Sequence, residues 1–470
     1  MGPHPSDSGL SVTLPSRVLP LPASRPQHTT AAMEQFHCIA ERCEDTCCRD
    51  WAVPITRDDL DAMRATMSTT PEGRERLIRL VVIGNRSRVA DGRAQLQMDD
   101  DCACPMLEKD NRCGVHAAFG EKALTTPCSI FPRTALALHD RVEVGGSLGC
   151  PEVARLMLLS EESLRLRPAT AAMLPRAYVG KTVDDDPTGA YSYYFLGVRA
   201  ALGGCFRAPL PIGVRFVLAA DLAARLEPFF HAGTSEFQGA RRTFAEHRLQ
   251  SEINDTESTE LRASLASDLA GLDIDGNPVA TFVRSFLRDR QRLPHSPRFA
   301  SLLDEVFHSL EGEAMAAPPP VAPGPSSSGA PATPVSPDLA AATLRRRVAL
   351  DARTESRLDA ILGRYCQHFL MRNPYTDAPA LTEYIFNLGV QLAAVRLLIV
   401  GHPEVAARLA AVPDAREDRA VLERVSVHVI QTYTKAISHH PEYLEAAIPR
   451  SAAPGGRITF GRLVLLAKFM

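Results

Sequence analysis

The sequence predicts a mainly α protein, with a small irregular Cys-rich metal-binding lobe followed by a helical body. Three observations carry this expectation. Nine of the 11 cysteines fall between Cys38 and Cys150. Through most of the remaining chain, apolar residues recur at helical spacing. The composition, 45% hydrophobic and 23% charged over 470 residues, is that of a globular protein with room for two or three domains.

In chain order, residues 1–32 read as a disordered tail rich in Pro, Ser and Thr, without the basic start and apolar core of an export signal. Met33 is a candidate alternative start. Residues 33–150 form the Cys-rich metal or iron–sulfur lobe, built of short elements punctuated by Gly and Asp. One helix stands out there: Thr56 is placed to cap Arg57–Met67, with Asp59 near the positive end of its dipole.

Residues 151–313 read as a helical region. Val153, Leu156, Leu159 and Leu164 recur near helical spacing, as do Val214, Leu218, Leu222 and Leu226, with breaks expected at Pro187 and Pro294. Residues 314–338 (AMAAPPPVAPGPSSSGAPATPVSPD) are a Pro/Ala/Ser linker that buries too little apolar surface to order itself. Residues 339–470 are helical again. Leu358, Leu362, Tyr365 and Phe369 share one face, Leu388, Leu392, Val395 and Ile399 continue in a second helix, and a third is expected across Val421–Ile437. The apolar run Val390–Val400 contains Gln391 and Arg396, is too short to span a bilayer, and reads as a buried helix.

A formal charge of -3 supplies no global basic field, so nucleic acid and anionic membranes are not expected partners. The expected location is cytoplasmic. Clustered thiols in a reducing compartment point to metal ligation or redox chemistry rather than to disulfides.

The cysteines fall in two halves. The first reads Cys38-x4-Cys43-x3-Cys47-Cys48, followed by Trp51. The second reads Cys102-x-Cys104-Pro, then Cys113, Cys128 and Cys150. Thiolates are soft ligands for zinc or iron, and either centre commonly takes four. The candidate metal ligands are Cys38, Cys43, Cys47, Cys48, Cys104, Cys113, Cys128 and Cys150. Eight thiols suffice for two four-ligand centres, or for one centre plus structural thiols. Cys47 and Cys48, being adjacent, are expected to point in different directions. Cys102 beside Asp99–Asp101 ranks below the others, and Cys205 and Cys366 read as buried core thiols. His116 makes a Cys113-x2-His116 pair but reads first as a surface histidine. Spacing alone does not separate zinc from iron; crowded Cys without a His partner favours iron–sulfur.

These residues carry a family resemblance. FHCIAERCEDTCCRDWAVPIT (36–56), CPMLEKDNRCGVHAAFGEKALTTPCSIFPR (104–133) and SLGCPEVARLML (147–158) resemble, in order and spacing, the three cysteine blocks of the flagellin lysine N-methylase family. A broader set of small zinc- or iron-chelating Cys domains shares part of the first two blocks. YCQHFLMRNPY (365–375) and the Val421–Ile448 region resemble the family more loosely. Cys102 and the 314–338 linker look like additions. The resemblance implies methyl transfer from S-adenosylmethionine to lysine ε-amines of flagellin or another surface-filament protein, alongside an iron–sulfur cluster of the 4Fe-4S kind or zinc.

Lysine methylation needs a neutral amine, whose unperturbed pKa is about 10.4, and so needs desolvation or a base. The sequence names neither a catalytic base nor an S-adenosylmethionine site. A Gly-rich strand–loop–helix signal is missing, and VEVGGSLG (142–149) reads as a turn beside the cluster. Cys43-x3-Cys47 is followed at once by Cys48, so the Cys-x3-Cys-x2-Cys spacing of radical S-adenosylmethionine enzymes is not met. Glu44, Asp45 and Asp99–Asp101 are candidate bases by position alone, and solvated loops are the commoner meaning of such acids. Tyr375, Tyr384 and Phe386 are either a lysine channel or helical core, with core favoured. The competing function is a non-enzymatic zinc- or iron-binding module acting as an adaptor or redox sensor.

Overall fold

The computed structural model describes residues 25–50, 53–82, 94–96, 98–99, 102–176, 180–183, 194–231, 240–273, 276–291, 296–316, 339–438 and 460–470. Residues 1–24 of the expected tail, Trp51, Asp100, Asp101, Pro187, Pro294, linker residues 317–338 and residues 439–448 lie outside the described residues.

The chain divides into two units. Unit 1 takes the chain up to Val153 and again at Leu166–Thr182; unit 2 takes Ala154–Arg165 and everything from Val183 onward.

Unit 1 opens with β1 (Gln27–Thr30) and α1 (Ala31–Gln35). Residues 25–32, expected in the tail, are thus part of the lobe. The reason is a long-range pairing: Thr29 and Thr30 are β-branched and fully buried, and the Thr29 hydroxyl donates to the Val144 carbonyl at 2.9 Å. The unit continues through β2 (Pro54–Ile55), α2 (Arg57–Met67), α3 (Pro71–Leu80), β3 (Val81–Val82) and β4 (Ala94–Leu96). Then follow α4 (Gly114–Phe119), α5 (Thr126–Ile130), β5 (Arg133–Ala137), β6 (Val142–Gly146) and α6 (Pro151–Leu159), within which the division falls. β7 (Leu166–Pro168) and β8 (Lys181–Thr182) complete it.

The strands make a five-stranded sheet in the order β7-β1-β6-β5-β8 and a three-stranded sheet in the order β2-β4-β3. In the larger sheet β1 and β6 run parallel, with Gln27 opposite Val142 and Thr29 opposite Val144. β5 and β6 form the antiparallel hairpin, Arg133 opposite Gly146. The stretch 142–149 is therefore mainly strand, not the expected turn, because Val142 and Val144 alternate onto the buried face with Ile130, Ala135 and Leu174.

Helix α2 spans the expected residues. The Thr56 side chain accepts from the Asp59 N–H at 3.1 Å, and the Asp59 carboxylate accepts from the Thr56 N–H at 3.2 Å. Asp59, Met63 and Met67, four residues apart, form its buried face.

Unit 2 is helical among its described residues. It holds α7 (Phe195–Arg207), α8 (Ile212–His231), α9 (Ala240–Asp255), α10 (Thr259–Gly271), α11 (Asn277–Gln291) and α12 (Pro297–Ala316). After the linker come α13 (Leu339–Ala349), α14 (Ala352–Arg372), α15 (Leu381–Val400), α16 (Pro403–Leu409), α17 (Ala415–Tyr433) and α18 (Phe460–Phe469). α17 runs on into a π-helical turn at Thr434–Ser438. The apolar positions read from the sequence in α8, α14, α15 and α17 fall on these helices.

α15 is the central helix. By length and composition it is apolar enough to cross a membrane, and 89% of its apolar window is buried inside the protein. Its polar positions are satisfied there: Arg396 donates to Asp359 at 3.0 Å and to Glu355 at 3.3 Å, both on α14. At Gly389 a Cβ would meet the Phe216 ring at 2.4 Å, so this glycine lets α15 approach α8 closely.

Candidate metal centre

The cysteines are set by backbone pairings that join distant parts of unit 1. Arg49 bridges Ala103, the Cys104 N–H donates to the Cys48 carbonyl at 2.8 Å, and the Asp50 N–H donates to the Cys102 carbonyl at 2.9 Å. A second short hairpin pairs Leu107 with Cys113, closed by Glu108 N–H to Arg112 O at 2.9 Å and Gly114 N–H to Met106 O at 2.8 Å. Cys113 then precedes α4 as its capping residue, and Thr125 caps α5, which carries Cys128.

The buried Asp59 fixes α5 to α2. One carboxylate oxygen accepts from the Thr126 N–H at 2.9 Å and from its hydroxyl at 2.6 Å, and Arg176 lies 3.4 Å away. As a result Cys48, Cys104, Cys113 and Cys128 all meet one apolar cluster that includes Val53, Met63, Met67, Met106 and Val115. Cys48 and Cys113 are hydrogen-bonded through their side chains, and so are Cys47 and Cys48. The expectation that Cys47 and Cys48 diverge is met in exposure, Cys47 being exposed and Cys48 half-buried, but their thiols interact.

Cys43 lies within electrostatic range of Cys38, and Cys150 within range of both. Cys38 is exposed, and Cys43 and Cys150 are half-buried.

Burial governs the acidity of these thiols. It pushes Cys104 and Cys150 up to about 11 and Cys128 to about 12, and it raises Cys43 as well. For Cys48 the hydrogen bond with Cys113 pulls the value down, but the bond with Cys47 and burial prevail and bring it to about 12. Cys113 is raised by its hydrogen bond with Cys48 and then by burial. Opposing this, backbone N–H groups are aimed at sulfur: Met106 at Cys104, Val115 and His116 at Cys113, and Glu152 and Val153 at Cys150. Such donors favour the thiolate and so suit a bound cation.

Among the described residues, no three Cys, His, Asp or Glu side chains as placed could hold one metal ion. Four sulfurs are the kind and number of donor that zinc or iron takes, but as placed they do not converge on one ion. Four soft sulfurs border one apolar cluster, four of the eight candidates (Cys43, Cys104, Cys113 and Cys150) receive backbone N–H bonds, and the loops that carry them are strained. Among the described residues, the non-glycine positions with left-handed backbone, Ala40 (φ 45), Asp50 (φ 65), Cys102 (φ 56) and Asn111 (φ 61), all lie within or beside the cysteine blocks. Asn and Asp tolerate this region best, and each such residue costs of order 1–3 kcal/mol.

The remaining candidates resolve as follows. Cys205 and Cys366 are buried core thiols in α7 and α14, and His116 is exposed on α4. Asp99 shapes the turn before Cys104, accepting from the Ala103 N–H at 2.8 Å and, through its carbonyl, from the Cys102 N–H at 3.0 Å. Glu44 is exposed and Asp45 buried. Tyr375, Tyr384 and Phe386 are core: Tyr375 packs on Phe195 at 5.4 Å and on Tyr384 at 6.4 Å, and the Tyr384 hydroxyl donates to the Asn373 carbonyl at 2.6 Å. Arg176 and Thr126, which hold Asp59, went unnoticed in the sequence. The Thr56-x2-Asp59 cap was the only local sign of that hub.

Comparison with known proteins adds an independent likeness. No family model matches the chain, and no solved structure does. A protein named Lysine-N-methylase from Salmonella typhimurium (strain LT2) is 27% identical over 140 residues, and one of the same name from Salmonella choleraesuis (strain SC-B67) is 26% identical over 140 residues. Each match covers 30% of this chain and 34% of the relative, so the chain spans about a third of the length of these curated relatives. The flagellar biosynthetic protein FliU of Salmonella muenchen is 26% identical over 136 residues, 29% of this chain and 79% of that protein. Over somewhat less than a third of its length, then, this chain is similar to proteins named lysine N-methylases and to a flagellar biosynthetic protein.

Proposed function

We propose that this protein is a protein-lysine N-methyltransferase that acts on flagellin or a related surface-filament protein and takes its methyl group from S-adenosylmethionine. The likeness to lysine N-methylases over 140 residues is the observation that carries this reading. The likeness to a flagellar biosynthetic protein supports the substrate class. The cysteine lobe holds an iron–sulfur cluster or zinc, with Cys48, Cys104, Cys113 and Cys128 as the principal ligand group.

A bound iron–sulfur cluster supplies electron-transfer chemistry, whereas zinc supplies a structural cross-link. The chain's own residues do the rest of the work at this group. Met106, Val115 and His116 direct N–H groups at the sulfurs, and Met63, Met67 and Val115 keep water from them. Asp59 holds α2 and α5 together, so that Cys128 stays beside the other three thiols.

The test is direct. Anaerobically purified protein is incubated with flagellin and isotopically labelled S-adenosylmethionine, and flagellin lysines are examined by mass spectrometry. Labelled methyl groups on lysine are the expected result. Metal-loaded, folded protein that transfers none to flagellin or to other filament proteins would overturn the enzymatic reading and leave the lobe as a metal-binding adaptor.

A further inference from the structure

In unit 2, α15 ends at a tight corner where Gly401, His402 and Pro403 turn the chain into α16. The corner is held from its surroundings. Arg346 on α13 donates to the Gly401 carbonyl at 2.8 Å, and a Cβ at Gly401 would meet Val306 and Leu310 of α12 at 2.8 Å. His402 is the capping residue of α16 and is 3% exposed. Its Nδ1 accepts from the Glu404 N–H at 3.2 Å. A second ring, His428 on α17, stands edge-on to it with 6.2 Å between centroids, and the Nδ1 of His428 lies 3.1 Å from Nη2 of Arg298 on α12.

These contacts define the protonation of both rings. A backbone N–H and a guanidinium can only donate, so each Nδ1 must accept and carry no proton. An imidazolium is protonated on both nitrogens and can take neither place. The charges around the pair come from four helices: Glu404 from α16, Glu305 and Arg298 from α12, Arg424 from α17, and Arg346 from α13 at the corner. Glu404 and Glu305 favour a cation on His402, but both are exposed, and Glu404 is already paired with Arg424. Burial, together with Arg424, favours the neutral ring and prevails, holding His402 below the ordinary histidine value.

We propose that His402 and His428 form a pH-sensitive latch, which docks α16 against α12 and α17 while both rings are neutral and releases it when they take up protons. The inference concerns the helical unit alone and depends neither on the methyltransferase reading nor on a metal. On protonation the cap becomes a donor facing the Glu404 N–H, and two imidazolium rings meet Arg298 and Arg424 in one half-buried place. Release has somewhere to act. α16 is one wall of a cavity of about 110 Å³, where its Val405 and Leu409 face Leu350, just after α13, and Asp418 and Leu422 on α17. Because the folded-state value of His402 lies below the unfolded one, about 6.5, the latch is fully held above that pH and is lost as pH falls below it.

The experiment uses the full chain as purified, in the wild type and in the variants His402→Asn and His428→Asn. Asparagine keeps a side-chain acceptor at each place and does not titrate. Hydrogen exchange is followed by mass spectrometry between pH 7.5 and pH 5.5, with protection corrected for the intrinsic exchange rate at each pH. In the wild type, protection over residues 405–410 should fall about fivefold, the equivalent of one lost helix cap, while α10 changes little. His402→Asn should abolish the fall. His428→Asn should make it shallower, since one proton rather than two then drives release. Wild-type protection of α16 that does not change with pH would overturn the latch, as would a His402→Asn variant that loses protection as the wild type does. A His428→Asn profile identical to the wild type would overturn the pairing of the two rings. If His402→Asn does not fold, the wild-type and His428→Asn profiles decide.

Discussion

Asp59 is the residue on which the cysteine lobe most depends. Its side chain caps α2, receives two hydrogen bonds from Thr126 and lies beside Arg176, while itself buried. Removing it leaves two N–H groups and part of a cation without an acceptor, a loss of about 2–4 kcal/mol. Asp59→Ala should therefore speed hydrogen exchange in α2 and α5 and weaken metal retention, whereas unit 2 amides should exchange as before. The thiols make a second prediction, on pH. Burial holds Cys104, Cys128 and Cys150 at about 11, 12 and 11, well above the unfolded value of about 8.5. A folded-state pKa raised in this way stabilises the metal-free protein fully below about pH 8.5, and that contribution is lost as pH climbs through the folded values. Metal reverses the trend, because each ligating thiol must give up its proton. Urea midpoints should thus fall between pH 8 and pH 10 for metal-free protein but not for the loaded form. Zinc titrations at neutral pH should release protons and tighten as pH rises.

Among the elements, α15 shows how an apolar helix with a buried cation is stabilised. Arg396 sits in the run Val390–Val400 and is matched by Asp359 and Glu355 on α14. Burial, with a smaller push from Glu355, raises the Asp359 carboxyl, and Arg396 and Arg215 oppose that rise. Arg396→Met leaves Asp359 buried without its main cation, at a cost of about 3–5 kcal/mol, and adding Asp359→Asn should recover most of it. In the single variant the Asp359 pKa rises further, so the defect should shrink as pH is lowered. Chemical denaturation of the four proteins at pH 5 and pH 8 gives the coupling and its sign. The elements also explain which parts of the fold were legible. α2 carried its own start signal in Thr56 and Asp59, and α8, α14, α15 and α17 repeat apolar residues over several turns. β1 carried nothing comparable: QHTT has no apolar alternation, and its burial depends on Val144, far along the chain. β7 and β8 are three and two residues long, too short for any periodicity to register.

At the scale of the whole molecule, the cysteine content was readable but its assembly was not: Cys48, Cys104, Cys113 and Cys128 meet at one apolar cluster through pairings such as Arg49 with Ala103, which leave no local trace. Helices were legible from periodicity, whereas the lobe read as irregular because its elements are short and punctuated by Gly and Asp, and its sheet joins near and distant strands that share no local pattern. The stretch 314–338, read from its sequence as a linker, offers a prediction at this scale. The helices on either side of it, α12 and α13, are joined by Arg346, which reaches Glu313 at 2.5 Å and the Ser309 carbonyl at 2.9 Å. Closing a loop costs only about 0.6 kcal/mol per doubling of its length. Replacing residues 317–338 with a Gly/Ser loop half as long should therefore leave the melting temperature and metal content close to wild type, as calorimetry and metal analysis would show.

The parallel pairing of β1 with β6 also has a consequence in time. β1 is made early but can be completed only when β6 emerges, and its other neighbour, β7, comes later still. Contacts so distant in sequence form slowly, because loop closure precedes the contacts that reward it. Cys38, Cys43, Cys47 and Cys48 thus leave the ribosome well before their partners at 104–150 exist. During that interval their thiols lack those partners, and on the metal reading proposed above, loading of the lobe is an event of late synthesis, governed by how fast the chain reaches β6.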